Sequence, residues 1–137
     1  MRAKFYVLVA GLGLLATSAP MMAHHSFTAE YDAAKPVTLT GTVTKVEWMN
    51  PHARFYIDVK DDAGTVTNWE LELGSPNALM RLGWTRNSLK PGEQVSVEGS
   101  LAKDGSKLAN ARKVTLADGR KVFAGSAADT ESKDGKQ

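Results

Sequence analysis

Apolar and polar residues alternate along the middle of the chain, and the first such run starts at Val37. Valine, leucine and glycine alternate there with threonine as far as Thr44, after which Val46 and Trp48 continue the apolar set one position out of phase. A period of two is typical of a half-buried strand. A shift of one residue indicates a β-bulge, which bends the strand. We therefore predict a long first strand that bends near Thr44 and Lys45.

Two further runs with the same period follow. Residues 55–59 place Phe, Ile and Val at alternate positions, and residues 69–73 do the same with Trp, Leu and Leu. Between them, residues 61–64 read Asp-Asp-Ala-Gly, which is turn chemistry. These patterns predict that the second and third strands continue the first in an antiparallel meander.

One short helix is predicted after the third strand. Ser75 is a good N-cap residue, Pro76 suits the first helical position, and Gly83 suits the end. Leu79 and Leu82 lie three positions apart, which puts them on one face of a helix of about two turns.

The remaining pattern predicts two more strands, over residues 95–101 and 109–116, and a final short one through residues 122–123. Three strands, a small helix and two strands is the element order of an OB-fold. We therefore predict an all-β protein with an OB-like five-stranded barrel over residues 37–123 and one short helix between strands 3 and 4. A β-sandwich is the competing interpretation, but it gives no reason for the helix. The three tryptophans fit core and rim packing, with Trp84 at one end of the core.

The chain begins with the pattern of an export signal. Arg2 and Lys4 form a short basic start, and residues 5–16 are uncharged and mostly apolar. This apolar run is shorter than the about 20 residues that span a bilayer. We expect a periplasmic or secreted protein with no membrane span once the signal is removed.

Small residues mark two candidate cleavage positions. Cleavage after Ala19 would leave Pro20 first in the mature chain, which signal peptidase disfavours. Cleavage after Ala23 places Met21 three residues before the new terminus, which is larger than ideal but acceptable. We predict that residues 1–23 are the signal peptide, with the cut after Ala23.

Composition then limits the possible functions. Loss of the signal leaves 15 of the 17 basic residues against all 15 acidic ones, so the mature chain lacks the basic excess that nucleic-acid binding requires. There is no cysteine and hence no disulfide. Residues 24–36 read as an N-terminal leader and residues 124–137 as a disordered tail without apolar anchors. The oligomeric state is left open.

The three histidines are the candidate functional residues. Cleavage after Ala23 would make His24 the N-terminal residue, next to His25, and the third is His52 in an Asn-Pro-His segment. An N-terminal histidine can chelate a metal through its amine and ring Nδ1, and a second imidazole completes the three-nitrogen set called a histidine brace. Such nitrogen ligands suit copper(II). We predict a copper(II) site formed by His24 and His52, with His25 as a further possible ligand; the alternative is that these histidines are merely solvated.

Distance along the chain permits this site without requiring it. The leader and His52 lie on opposite sides of the first strand in sequence. Residues 24–37 can extend about 40 Å at ~3.3 Å per residue, so the leader could run back along that strand. The non-metal alternative is an exported adaptor or ligand-binding module that uses the barrel face.

Enzyme activity is the least favoured class. The chain has no nucleophile elbow, phosphate loop or zincin helix. Glu70 and Glu72 are paired carboxylates on the outward side of the third strand, where we expect a solvated face rather than acid–base chemistry. Oxygen chemistry at a brace copper would be the most plausible reaction. Otherwise the partner is a metal ion or an unidentified periplasmic protein.

Several short motifs make the chain similar to a known family. They are His-His-Ser-Phe at 24–27, Gly-Thr-Val at 41–43, Asn-Pro-His at 50–52, Trp-Glu-Leu at 69–71 and Gly-Trp at 83–84. Together they resemble a family of small secreted bacterial proteins defined only as a domain of unknown function. The resemblance covers roughly residues 24–123 and implies an exported domain, without implying a reaction.

Overall fold

The computed structural model describes residues 27–125. In chain order the elements are α1 (Phe27–Glu30), β1 (Tyr31–Glu47), β2 (Arg54–Lys60), β3 (Val66–Glu72), α2 (Pro76–Arg81), β4 (Gln94–Ala102), β5 (Leu108–Leu116) and β6 (Lys121–Phe123). The predicted signal peptide, His24, His25 and residues 126–137 of the predicted tail lie outside the described residues. No helix within the described range is long and apolar enough to cross a membrane.

The strands form one sheet in the order β3-β2-β1-β4-β5-β6, and a parallel pairing of β3 with β5 closes five of them into a ring. All other neighbouring strands are antiparallel. The prediction of an all-β, OB-like five-stranded barrel with a short helix between strands 3 and 4 is confirmed. β6 adds a short sixth strand outside the ring, where the sequence indicated one.

The first strand serves both sides of the barrel because it is long and bent. β1 pairs with β4 through its first half and with β2 through its second half. The register steps from Val43 opposite Ile57 to Lys45 opposite Tyr56, which leaves Thr44 as the extra residue. The bulge that the phase shift predicted is therefore confirmed.

The helix α2 also forms as predicted. The Ser75 hydroxyl accepts a hydrogen bond from the Ala78 N–H at 3.2 Å, Pro76 opens the helix, and Gly83 has a φ of +92°. Leu79 is fully buried in the core. Leu82 was expected on the same face but is exposed, because it is the C-cap residue, where the chain leaves the helix.

The barrel interior is apolar, and Trp84 is buried in it. The indole Nε1 donates a hydrogen bond to the Phe123 carbonyl at 2.9 Å. Ala124 is fully buried and its N–H donates to the Arg112 carbonyl at 2.9 Å, so packing continues just past residue 123. The buried core comprises Leu39, Val43, Ala53, Phe55, Ile57, Leu71, Leu73, Leu79, Trp84, Leu89, Val95, Val97, Ala109, Ala111, Val114 and Ala124.

Part of the segment predicted as a leader is tied to the sheet. β1 begins at Tyr31, which pairs with Ala102 at the end of β4. The rings of Phe27 and Tyr31 stack at 5.6 Å, and both residues are buried in a small second cluster with Ala102. The Lys103 N–H donates to the Glu30 carbonyl at 3.0 Å. We call residues 27–31 the N-terminal arm.

Candidate functional site

Polar side chains gather on the outer side of β2 and β3, at the end where the N-terminal arm packs. Arg54 lies opposite Glu72 in the register of these strands. Successive side chains of a strand point to opposite faces, so the neighbours of the core residues Phe55 and Leu71 point away from the interior. His52 precedes β2 by two residues. We call His52, Arg54, Glu70, Glu72 and Tyr31 the polar cluster.

Glu72 is the centre of the polar cluster. Its Oε1 lies 3.2 Å from Nδ1 of His52, and its Oε2 accepts a hydrogen bond from Nη2 of Arg54 at 3.4 Å. The Arg54 guanidinium also donates through Nη1 to Glu70. One arginine therefore holds two carboxylates, and both oxygens of Glu72 have a partner.

The Glu72 side chain is only 6% exposed. The expectation of a solvated face was therefore wrong for this residue. Burial raises the pKa of Glu72, while the nearby charges of His52 and Arg54 act to lower it. Glu70, which is further from the arm, remains half-buried.

Tyr31 of the N-terminal arm lies beside Glu72. Burial, and then the negative charges of Glu72 and Glu30, raise the pKa of the Tyr31 phenol. The hydroxyl is buried, yet within residues 27–125 it makes no hydrogen bond of standard geometry, even to Glu72. Asn110, the register partner of Glu72 on β5, likewise has a buried and unpaired Oδ1 there.

Barrel closure, rather than a leader folded back along the first strand, connects the arm to His52. The start of β1 pairs with the end of β4, whose neighbour β5 begins beside the end of β3. Tyr31 thus lies near Glu72, and Glu72 contacts His52. The N-terminal arm and His52, which most of β1 separates in sequence, therefore lie at the same end of the barrel.

Of the three predicted metal ligands, the structure places His52, and its side chain is 38% exposed. His24 and His25 lie outside the described residues, three and two positions before Phe27 of the arm. No group of three or more His, Asp or Glu side chains with a metal-binding arrangement occurs in the described part of the chain. That part contains one of the three predicted ligands, His52, in contact with the carboxylate of Glu72.

Sequence reasoning missed Tyr31, Arg54 and the role of Glu72. The register of the hairpin around the turn at 61–64 was a usable signal, since it places Arg54 directly opposite Glu72. Opposite charges at such positions indicate a cross-strand ion pair. Nothing in the local pattern indicated that the arm would bury it.

Solved structures with a similar fold share little sequence with this chain. The mitochondrial single-stranded DNA-binding protein Rim1 of S. cerevisiae is 12% identical, with a TM-score of 0.48 over 61% of this chain and 93% of that one. The N-terminal domain of PriB from Thermoanaerobacter tencongensis is 20% identical, with a TM-score of 0.42 over 61% and 97%. A structure of yeast Stn1 and Ten1 is 14% identical, with a TM-score of 0.41 over 74% and 54%.

Sequence comparison identifies the family. No curated protein matches the chain. The model of a family of unknown function, DUF6152, matches residues 11–111. This match takes in β1 to β4, α2 and the polar cluster. The chain therefore belongs to the DUF6152 family.

Proposed function

We propose that this protein is an exported, periplasmic or secreted, copper(II)-binding protein. Cleavage after Ala23 frees the His24 amine, and the metal is bound by that amine, the His24 ring and the ring of His52. His25 is a possible substitute ligand. The barrel supports His52, and the N-terminal residues complete the site.

The contact between His52 and Glu72 is the observation that carries the proposal. Metal-binding histidines almost always donate a hydrogen bond from their second ring N–H to a carboxylate, a carbonyl or water. Here Nδ1 of His52 lies 3.2 Å from a buried carboxylate, while the ring remains 38% exposed. The arrangement leaves Nε2 as the nitrogen that can bind a metal.

The position of the N-terminal arm supports the proposal. Phe27 is buried against Tyr31, and Tyr31 lies beside the same Glu72. His24 is three positions before Phe27, and three extended residues span at most about 11 Å. We propose that this length is used to bring the His24 amine and ring to His52.

The chemistry of the ligands favours copper(II). Imidazole and amine nitrogens suit this ion, which also has the highest affinity in the divalent series. An α-amino group normally holds its proton until about pH 8, so binding releases protons and weakens as pH falls. No catalytic role is proposed, because Glu70 and Glu72 are both paired with Arg54.

Charge argues against nucleic acid as the ligand of this face. OB-folds bind oligonucleotides through strands 2 and 3, and backbone phosphates require cations. Here the outer side of these strands presents Glu70 and Glu72, and Arg54 is paired with both. We propose that nucleic acid is not a partner. A non-metal adaptor that uses another surface stays the alternative function.

The test is a copper titration of the processed protein that begins at His24. Replacing His52 by alanine should weaken binding by more than the roughly 10–100-fold that loss of an outer-shell partner costs. The matched control is His25→Ala, which removes a neighbouring imidazole and should have a smaller effect. Unchanged affinity in the His52 variant would contradict the brace, and no binding by any version would favour the adaptor.

A further inference from the structure

We propose that Glu72 is a positioning residue for His52. The Glu72 carboxylate accepts a hydrogen bond from Nδ1–H of His52, and this orients Nε2 of the ring outward. The expected effect of Glu72 on copper affinity rests on the proposed function. The tautomer of the His52 ring is independent of that function, because it can be measured in the metal-free protein. Nothing in the family assignment gives either residue a role.

The geometry assigns the proton on the neutral ring. An ionised carboxylate is acceptor-only, so the ring nitrogen that faces it must carry the hydrogen. Oε1 of Glu72 lies 3.2 Å from Nδ1 of His52. In the neutral imidazole the other nitrogen, Nε2, then holds the lone pair. Without an acceptor at Nδ1, both tautomers and several ring orientations would be open to a half-exposed histidine.

Glu72 itself has little freedom to move. It is the last residue of β3, where it pairs with Arg54 on one side and Asn110 on the other. Its second oxygen accepts from Arg54, which is held in turn by Glu70. A side chain that is 6% exposed and held by Arg54 at its other oxygen can orient a partner that is 38% exposed, rather than the reverse.

The neighbouring carboxylate provides a matched control. Glu70 lies on the same strand and binds the same Arg54, but no contact joins it to His52 in the described structure. Replacing Glu70 therefore perturbs the ion pairs and leaves the acceptor at Nδ1 in place. Only a positioning role for Glu72 predicts that the two replacements differ at the ring.

The first experiment records the ¹⁵N shifts of the His52 ring in the metal-free protein near pH 8. We expect the Nδ1–H tautomer in the wild type and in Glu70→Gln, and loss of that preference in Glu72→Leu. Glu72→Gln is a second variant of closer shape in case the leucine variant does not fold. An Nε2–H tautomer in the wild type would overturn the proposal without any variant.

The second experiment measures copper(II) affinity for the same set. Glu72→Leu should bind about 10–100-fold more weakly than the wild type, and Glu70→Gln should stay close to it. Equal losses in both variants would reduce Glu72 to a structural role and overturn its effect on binding. An Nδ1–H tautomer without copper binding would refute the proposed function and leave the positioning of His52 standing.

Discussion

Replacing Arg54 by methionine is the most direct perturbation of the polar cluster. Methionine keeps much of the aliphatic stem, so packing changes little while the guanidinium is removed. Glu72 would then lose its arginine partner and keep the contact with the His52 ring. We therefore expect a clear loss of stability that comes from an uncompensated buried charge.

The expected magnitude follows from how exposed the two partners are. Removing one partner of a fully buried pair costs about 3–5 kcal/mol, and an exposed pair contributes about 0–1 kcal/mol. The side chains here are 6% exposed for Glu72 and 37% exposed for Arg54. An intermediate loss of about 2 kcal/mol is expected, which lowers the Tm of a domain of this size by roughly 8–16 °C.

The loss should also depend on pH. Burial raises the pKa of Glu72 and Arg54 acts to lower it, so the variant has the higher pKa. A raised carboxyl pKa means that the folded state holds the proton more tightly than the unfolded state. The contribution of this proton uptake by Glu72 to stability is full below the ordinary pKa of 4.5 and is lost as pH rises through the pKa of the folded state. The deficit of the variant should therefore be small near pH 4 and grow toward pH 7.

Urea unfolding of wild type and variant at several pH values measures this directly. Comparing the two proteins at each pH cancels the contribution of the carboxyl groups that they share to the pH dependence of stability. The control is Lys113→Met, which leaves the 50% exposed Glu98 without this partner and should cost less than about 1 kcal/mol. Equal losses in the two variants, or a deficit that does not change with pH, would refute this view of Glu72.

Two further predictions concern the arm and the barrel. The Tyr31 pKa is raised from its ordinary 10.0, so the free energy of unfolding should fall as pH rises above that value. Tyr31→Phe should remove up to about 1.4 kcal/mol per pH unit of this pH dependence. Unfolding of both proteins at pH 9 and 11 measures the difference, and equal slopes would contradict the prediction. A Cβ on Gly41 would lie 2.3 Å from the Asp58 carbonyl oxygen, so Gly41→Ala should destabilise the protein by about 2–3 kcal/mol. The control Thr40→Ala, at the exposed neighbouring position, should change stability by about 0.5 kcal/mol or less. Similar losses in the two variants would show that β1 and β2 can move apart at no cost.

Local patterns predicted most of the fold because the determinants are local. A period of two identifies each strand, one phase shift identifies the bulge at Thr44, and Ser75 with Pro76 identifies the start of α2. Each of these signals lies within a few residues of the feature it determines. The element order then selected the barrel, since few closed topologies accept a helix between strands 3 and 4.

The polar cluster depends on contacts between distant residues, and the sequence was correspondingly less informative. Alternation places Glu72 on the outer side of β3, where carboxylates are normally solvated. Its neighbours include Asn110 on β5 and Tyr31 of the arm, which is more than 40 positions earlier in the chain. His52 was identified from residue type and rarity alone, and its contact with Glu72 required the three-dimensional register.

Calorimetry with copper(II) on two forms of the chain tests the central claim most directly. One form begins at His24 and the other carries one additional methionine before it, so that every side chain is kept and only the amine moves. We predict one copper bound per processed chain, with sharply weaker binding by the extended form and release of metal as pH falls. Equal affinities of the two forms would contradict the histidine brace.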